Sequence, residues 1–192
     1  MKLLACPKCH QQLHLENKTL KCENNHCYDI SKRGYINLLL NPDKATNNPG
    51  DSKESLVARK AYLNKGYYDP ILNQVITCID EFKHQDDLSI LDLGCGEGYY
   101  TQGLKKHFEN SDIYGLDISK IAIDMATRYR KDITWLVGNS KNIPILDHSL
   151  DFICALFTVV NQDELKRALK EDGYIVHVTA NNQHLIEIKE LI

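Results

Sequence analysis

The sequence predicts an α/β fold, a doubly wound and mostly parallel sheet preceded by a small metal-binding module. Three observations support this prediction. Short apolar runs alternate with helix-like stretches through the second half of the chain, a glycine-rich loop follows the first of those runs, and four of the seven cysteines lie in the first thirty of 192 residues. Alternation of strand and helix indicates βαβ units and a parallel sheet covered on both faces.

Composition and charge narrow the class of protein. Hydrophobic residues make up 43% and charged residues 26% of the chain, as in soluble globular proteins. No run of eighteen apolar residues occurs, and the start "MKLLACPKC" is too short for the apolar core of a signal peptide, so we expect a cytoplasmic protein. Residues 1–60 carry ten Lys/Arg and six Asp/Glu, and residues 61–192 carry thirteen and twenty. The basic first part suits an anionic partner, although ordinary surface variation explains such an excess equally well.

The clustered cysteines of residues 1–40 predict a zinc site. Without a secretion signal, clustered cysteines indicate metal binding rather than disulfides. Cys6 and Cys9 form a C-x2-C knuckle, Cys22 follows, and either His26 or Cys27 completes four ligands. Four protein ligands leave no open position, so the zinc should be structural. About forty residues cannot build a sufficient core alone, which gives the metal a physical purpose.

Residues 41–66 are predicted to form a linker followed by a connecting helix. The stretch 41–51 is rich in Pro, Gly and Asn, Asp51 or Ser52 can cap the helix that follows, and Gly66 can end it. The third region, residues 67–192, begins with a helix over 70–82. Strands are expected at 89–95, 112–118, 133–139, 150–158 and 174–180, and helices at 101–110, 119–131, 162–170 and 183–192.

The loop "LDLGCGEGYY" is the strongest local signal for a ligand. Asp92 ends the first strand, and Gly94, Gly96 and Gly98 let the backbone turn tightly and approach a ligand. Asp117 closes the second strand, where a carboxylate can accept both hydroxyls of a ribose. The spacing matches neither the dinucleotide-binding fingerprint nor a P-loop.

These motifs resemble those of the class I S-adenosylmethionine-dependent methyltransferases, which have a Rossmann-like sheet. The resemblance implies that residues 94–98 lie against the methionine part of the cofactor and that Asp117 binds the ribose. It further implies that "GNSKNIP" holds the adenine and that Tyr68 covers the cofactor. The cofactor-binding residues expected on this basis are Tyr68, Asp92, Gly94, Cys95, Gly96, Glu97, Gly98, Asp117, Ile118, Asn139 and Ser140.

A narrower resemblance covers nearly the whole chain. "CPKC…C…HCYDISKRGYINLL", "GDSKESLVARKAYLNKGYY" and "LDLGCGEGYYT" occur in the order seen in the bacterial 23S rRNA guanine-N1 methyltransferases of the RlmA type, one branch of which confers tylosin resistance. The resemblance implies methylation of N1 of a guanine in a hairpin loop of large-subunit rRNA, and a homodimer. It also implies structural zinc on Cys6, Cys9, Cys22 and His26.

For this reaction the guanine must leave its stack and N1 must lose a proton. The candidate catalytic residues are His184 and Asn161, on loops after the fifth and fourth strands. RNA contacts are expected from the basic and aromatic residues Lys8, Lys32, Arg33, Tyr35 and Arg59. A solvated basic face with core aromatics is the equally weighted alternative.

Members of the resembled family are longer than this chain, and two further sheet strands are expected to be missing after the fifth. We therefore expect cofactor binding with uncertain turnover. Two other hypotheses stay open at this stage. One is a small-molecule methyltransferase acting on a quinone or another metabolite, because such enzymes share "LDLGCGEG". The other is an RNA-binding paralogue without turnover.

Overall fold

A six-stranded sheet forms the centre of the protein. The computed structural model describes residues 1–40, 50–128 and 130–181. The strands of this sheet are β4 (Ile36–Asn37), β5 (Ser89–Leu93), β6 (Asp112–Asp117), β7 (Thr134–Val137), β8 (Leu150–Leu156) and β9 (Leu169–Val178). Their order is β4-β7-β6-β5-β8-β9, and every neighbouring pair is parallel. The doubly wound parallel sheet predicted from the sequence is confirmed.

Strand β5 lies where the order of the sheet reverses. The chain runs from β5 to β6 and β7 on one side, and then crosses to β8 and β9 on the other. Ligands of open α/β sheets bind beyond the carboxyl ends of the strands at such a reversal. The glycine loop that follows β5 therefore stands at the position where a cofactor is expected.

Five helices accompany the sheet, namely α1 (Lys53–Leu63), α2 (Asp69–Phe82), α3 (Tyr99–His107), α4 (Lys120–Ala126) and α5 (Gln162–Ala168). Ser52 rather than Asp51 caps α1, since its side chain accepts a hydrogen bond from the backbone N–H of Ser55 at 3.1 Å. Val75 and Ile79 bury one face of α2, as the apolar spacing predicts. None of the described helices is long and apolar enough to cross a membrane.

The cysteine-rich segment folds as a small antiparallel sheet that packs against the large one. Its strands are β1 (His14–Glu16), β2 (Thr19–Lys21) and β3 (Cys27–Asp29). Leu4 bridges Ile145, and Ile36 in β4 pairs with Leu136 in β7. Leu4, Leu20 and Ile36 belong to the same buried cluster as residues of the large sheet. The first forty residues therefore share a core with the remainder of the described chain.

The element bounds differ from the sequence prediction mainly around the fifth strand. Helix α5 ends at Ala168 and β9 begins at Leu169, whereas the sequence placed that strand at 174–180. Leu169 is buried and pairs with Leu150, before an irregularity that realigns Phe152 with Tyr174. Polar residues within β9 interrupt its apolar pattern, so the sequence did not predict the pairing at the start of the strand. Helix α4 ends at Ala126, short of the predicted 131, and the helix expected at 183–192 lies outside the described residues.

Candidate cofactor pocket and metal centre

Three cysteines and one histidine meet in the N-terminal module. The ligand atoms of Cys6, Cys9, Cys22 and His26 all lie within 4.8 Å of one another. Nδ1 of His26 is 3.4 Å from the sulfur of Cys6 and 3.5 Å from those of Cys9 and Cys22. Tetrahedral zinc, with its bond lengths of about 2.0–2.3 Å, separates its ligand atoms by about 3.6–3.8 Å. The spacing of the four side chains is therefore suited to one zinc ion.

Cys27 does not join this cluster, although it is adjacent to His26 in the sequence. Its side chain is exposed, and its thiol lies 3.4 Å from the carbonyl oxygen of Asn25. Asn25 has a φ of 61° in the turn that closes on Cys22, and Cys27 is the first residue of β3. Because successive side chains of an extended segment point to opposite sides, only His26 can face the knuckle. The geometry favours His26 over Cys27 as the fourth ligand.

The surroundings of the cluster suit thiolate ligands. The backbone N–H of Gln11 lowers the pKa of Cys9 to about 6. Burial raises the pKa of Cys6, while the Tyr28 hydroxyl, 3.3 Å from the Cys6 sulfur, opposes this effect by donating a hydrogen bond. A bound cation would offset the burial cost. The Tyr28 hydroxyl therefore supports the ligand set.

A cavity of about 580 Å³ opens at the carboxyl ends of β5, β6 and β8. This volume lies within the range of ligand and cofactor sites. Of the eleven residues predicted to bind the cofactor, eight line the cavity: Tyr68, Asp92, Gly94, Cys95, Gly96, Glu97, Asp117 and Ile118. The pocket thus unites the glycine loop, the acid that ends β6 and the tyrosine that precedes α2.

Besides Asp51, which is paired with Arg59, three carboxyl groups give the cavity a negative character. Burial raises the pKa of Asp92 to about 7, with further contributions from Asp117 and Glu97, and a hydrogen bond from the Thr101 hydroxyl at 2.6 Å opposes the rise. Burial also raises the pKa of Asp117 and of Glu97. Such groups favour a cationic ligand, because a nearby positive charge stabilises the ionised carboxylate. S-adenosylmethionine, with its sulfonium and ammonium groups, fits this requirement.

Two further observations indicate space for a ligand. Glu97 is 3% exposed, and among the described residues its Oε1 atom has no hydrogen-bond partner. Gly96 has a φ of 56°, and a Cβ built there would find only the tip of Arg59 within 4 Å, at 3.9 Å. The backbone N–H of Gly96 donates to Asp117 Oδ2 at 2.9 Å, and the N–H of Ser119 donates to Oδ1 at 2.7 Å. These bonds fix the carboxylate at the pocket wall, and each oxygen keeps a lone pair for a ribose hydroxyl.

Helix α1 contributes a wall of the cavity that the sequence interpretation missed. Leu56, Arg59 and Leu63 line the pocket, and Arg59 makes an ion pair with Asp51 at its mouth. An RNA contact of Arg59 is expected from the sequence and remains a prediction. Burial raises the pKa of Glu97 and of Asp117, and the Arg59 guanidinium opposes this rise. The sequence around Arg59 did not indicate this placement.

Four other predicted site residues do not line the cavity, and a fifth is not described. Gly98 caps α3, and Asn139 and Ser140 follow β7 without lining the pocket. Asn161 caps α5, where its side-chain oxygen accepts the N–H groups of Asp163 at 3.0 Å and Glu164 at 3.2 Å. His184 lies outside the described residues.

The residues predicted to contact RNA are divided between surface and core. Lys8 and Lys32 are exposed, and Arg33 makes an ion pair of 2.8 Å with Asp124 of α4. Tyr35 is only 7% exposed and belongs to a core cluster. Its burial favours the alternative interpretation, in which Tyr35 packs in the core rather than stacking on RNA.

Comparisons with known families match both parts of the chain. A family model described as "RlmA, N-terminal", a zinc ribbon, matches residues 4–45, and a methyltransferase domain model matches residues 90–173. A Streptomyces fradiae 23S rRNA (guanine(748)-N(1))-methyltransferase is 28% identical over 194 residues, covering 100% of this chain and 68% of that protein. A Bacillus subtilis protein, YxjB, is provisionally named a 23S rRNA (guanine-N(1)-)-methyltransferase. It is 29% identical over 197 residues, which cover 99% of this chain and 68% of that protein.

A demethylmenaquinone methyltransferase of Thermotoga maritima is 34% identical, but over 82 residues that cover 43% of this chain and 36% of that enzyme. Solved structures share the fold. A chain of the complex between the Haloferax volcanii Trm112 methyltransferase activator and a methyltransferase superposes with a TM-score of 0.57 at 22% identity, covering 74% of this chain and 69% of that chain. The plantazolicin methyltransferase BpumL gives 0.58 at 19% identity, covering 74% and 59%.

Proposed function

The chain belongs to the class I S-adenosylmethionine-dependent methyltransferases with an RlmA-type zinc ribbon, and we propose that it methylates N1 of a guanine in a hairpin loop of large-subunit rRNA. The observation that carries the proposal is the combination of a Cys3His module and a cofactor pocket on one shared core. A small-molecule methyltransferase has no need of a metal-stabilised basic module. The relatives named for guanine-N1 methylation align over both parts of the chain.

The residues of the pocket have distinct roles in this proposal. When bound, S-adenosylmethionine supplies an electrophilic methyl group on a sulfonium. Asp117 accepts hydrogen bonds from the ribose hydroxyls, while Asp92 and Glu97 supply negative charge against the cationic methionine part. The glycine loop keeps side chains away from the ligand and lets the backbone approach it. The protein thus contributes positioning and electrostatics.

The proton that leaves guanine N1 needs an acceptor. The side-chain oxygen of Asn161 is used in capping α5, so we propose His184 for this role, since histidine is the residue type most often used as a general base. Replacing His184 with alanine should lower the methylation rate and remove the fall in rate on the acid side of its pH profile, because a general base acts only when it is deprotonated. An unchanged profile would exclude His184. The zinc stabilises the ribbon that presents Lys8 and Lys32 to phosphates.

Location and oligomeric state are parts of the same proposal. An enzyme that modifies rRNA works where ribosomes are assembled, which supports a cytoplasmic location. The homodimer predicted from the resemblance is tested by light scattering on the purified chain. A mass of twice 22.0 kDa would support it, and the mass of a single chain would contradict it.

Transfer of a labelled methyl group tests the substrate class. Purified protein and labelled S-adenosylmethionine are incubated in three separate reactions, each with one acceptor: large-subunit rRNA, small-subunit rRNA or a demethylated quinone. We expect label in large-subunit rRNA alone, and none with an Asp117→Ala variant. Label in the quinone would favour the small-molecule alternative. Cofactor binding without transfer to any acceptor would favour the RNA-binding paralogue.

A further inference from the structure

Three aromatic side chains lie along the mouth of the cofactor cavity, and we call Tyr62, Tyr68 and Phe157 the aromatic mouth. All three line the cavity. The Tyr68 ring lies 6.1 Å from Phe157 at 71° and 6.0 Å from Tyr62 at 73°. Tyr62 is 50% exposed and Phe157 is 46% exposed. The exposed parts of the Tyr62 and Phe157 rings can therefore contact a flat ligand at the cavity.

The backbone of Phe157 is unusual. Its φ is 55°, in the left-handed region, and its N–H donates to the carbonyl of Val178 at 2.9 Å. A bulky residue in this region is strained, and such strain concentrates at functional sites. Glycine would adopt the conformation without this cost. The strained position therefore suggests that the phenyl ring itself has a function at the cavity.

The topology places Phe157 on the side of the cavity away from the adenosine site. Asp117 ends β6, and the loop predicted to hold the adenine follows β7; both strands lie on one side of β5. Phe157 directly follows β8, which lies on the other side of β5. Thr158, the residue after Phe157, packs closely on the glycine loop: a Cβ added at Gly94 would lie only 2.6 Å from Thr158 Cβ. The aromatic mouth thus adjoins the methionine end of the site, where the methyl acceptor must enter.

The reaction requires a binding site for an extruded base. N1 of guanine lies on the Watson–Crick edge, so the base must leave its stack before N1 can reach a methyl donor. An extruded base loses its stacking neighbours, and aromatic side chains replace them. We infer that the aromatic mouth is the stacking site for the target guanine, with Phe157 as its principal positioning residue. This inference rests on the function proposed above.

The test separates binding of RNA from binding of the cofactor. Phe157→Ala is compared with the wild type for methyl transfer to large-subunit rRNA and for binding of S-adenosylmethionine by calorimetry. The KM for RNA should rise about 10- to 100-fold, as expected for loss of one base–aromatic stack, with cofactor affinity unchanged. Phe157→Trp should recover most of the lost affinity for RNA. Phe82→Ala is the matched control, because Phe82 is 45% exposed and does not line the cofactor cavity.

The other outcomes of this experiment separate failure of the stacking assignment from failure of the proposed function. Equal RNA kinetics for Phe157→Ala and wild type would overturn the stacking assignment while leaving the proposed function intact. A loss of cofactor affinity that accounts for the whole rate defect would overturn it too, since the ring would then cover the cofactor. If Phe157→Ala does not fold, Tyr62→Leu provides the same comparison at a second ring. Absence of transfer to RNA by the wild type would refute the proposed function itself, and this assignment with it.

Discussion

Replacing either of two glycines in the same loop with alanine should affect different properties, stability in one case and cofactor binding in the other. Gly96 and Gly98 have φ values of 56° and 86°, so an L-residue at either position costs about 1–2 kcal/mol in backbone strain. At Gly98 the added Cβ would lie 2.6 Å from the ring of Trp135, which is 1% exposed. Overpacking of such a core costs about 1–3 kcal/mol more. At Gly96 the nearest atom is 3.9 Å away, on the flexible side chain of Arg59.

These magnitudes give a measurable difference in melting temperature. For a chain of this length, 1 kcal/mol corresponds to about 2–4 °C, so Gly98→Ala should melt about 2–12 °C below Gly96→Ala. Fluorescence of Trp135, the single tryptophan of the chain, reports unfolding at this contact. Gly96→Ala should instead weaken cofactor binding about tenfold or more, since its methyl group occupies the ligand side of the loop. Equal melting temperatures, or cofactor affinity retained in Gly96→Ala, would refute the assignment of the two glycines.

Three other predictions follow from the metal site, the buried acid and the ion pair near the adenine loop. His26→Ala should lose bound zinc in elemental analysis while Cys27→Ser keeps it, and the reverse would make Cys27 the ligand. Because burial raises the pKa of Asp92 to about 7, binding of the cationic cofactor should release a proton near pH 7 and none at pH 9. Calorimetry in buffers of different ionisation enthalpy detects this release, and Asp92→Asn should abolish it. Arg167 donates to the carboxylate of Glu164 and to two backbone carbonyls, so Arg167→Met should cost about 2–4 kcal/mol in denaturant unfolding. Burial opposes ionisation of Glu164, but hydrogen bonds from Arg167 hold its pKa below the ordinary value. The stability that ionised Glu164 adds should therefore be complete above the ordinary pKa and be lost as the pH falls through the lowered pKa, and Arg167→Met should abolish this dependence on pH.

Local patterns were sufficient to predict the centre of the fold. Strand β5, the glycine loop and Asp117 form one βαβ unit, in which apolar runs, glycines and a terminal acid are all close in sequence. The zinc knuckle could be predicted for the same reason, because its residues are close in sequence. The choice between His26 and Cys27 could not be made from spacing, because it depends on which side chain faces the knuckle in the turn before β3.

Long-range pairings account for what the sequence did not reveal. Strand β4 is two residues long and has no periodicity, and it becomes a strand only because β7 lies beside it. Helix α1 was interpreted as a connection, yet Leu56 and Leu63 form part of the pocket wall because of how the helix packs. The strained backbone of Phe157 likewise has no sequence signal, since no glycine or asparagine marks it.

The activity proposed for this chain is methylation of N1 of one guanine in large-subunit rRNA. The most direct measurement is primer extension on 23S rRNA after incubation with the protein and S-adenosylmethionine. Because a methyl group on N1 blocks Watson–Crick pairing, reverse transcriptase should halt one nucleotide before the modified base. We predict a single new stop at a guanine in a hairpin loop, absent when the cofactor is omitted. Label in the RNA without any stop would place the methyl group on another atom and would contradict the account.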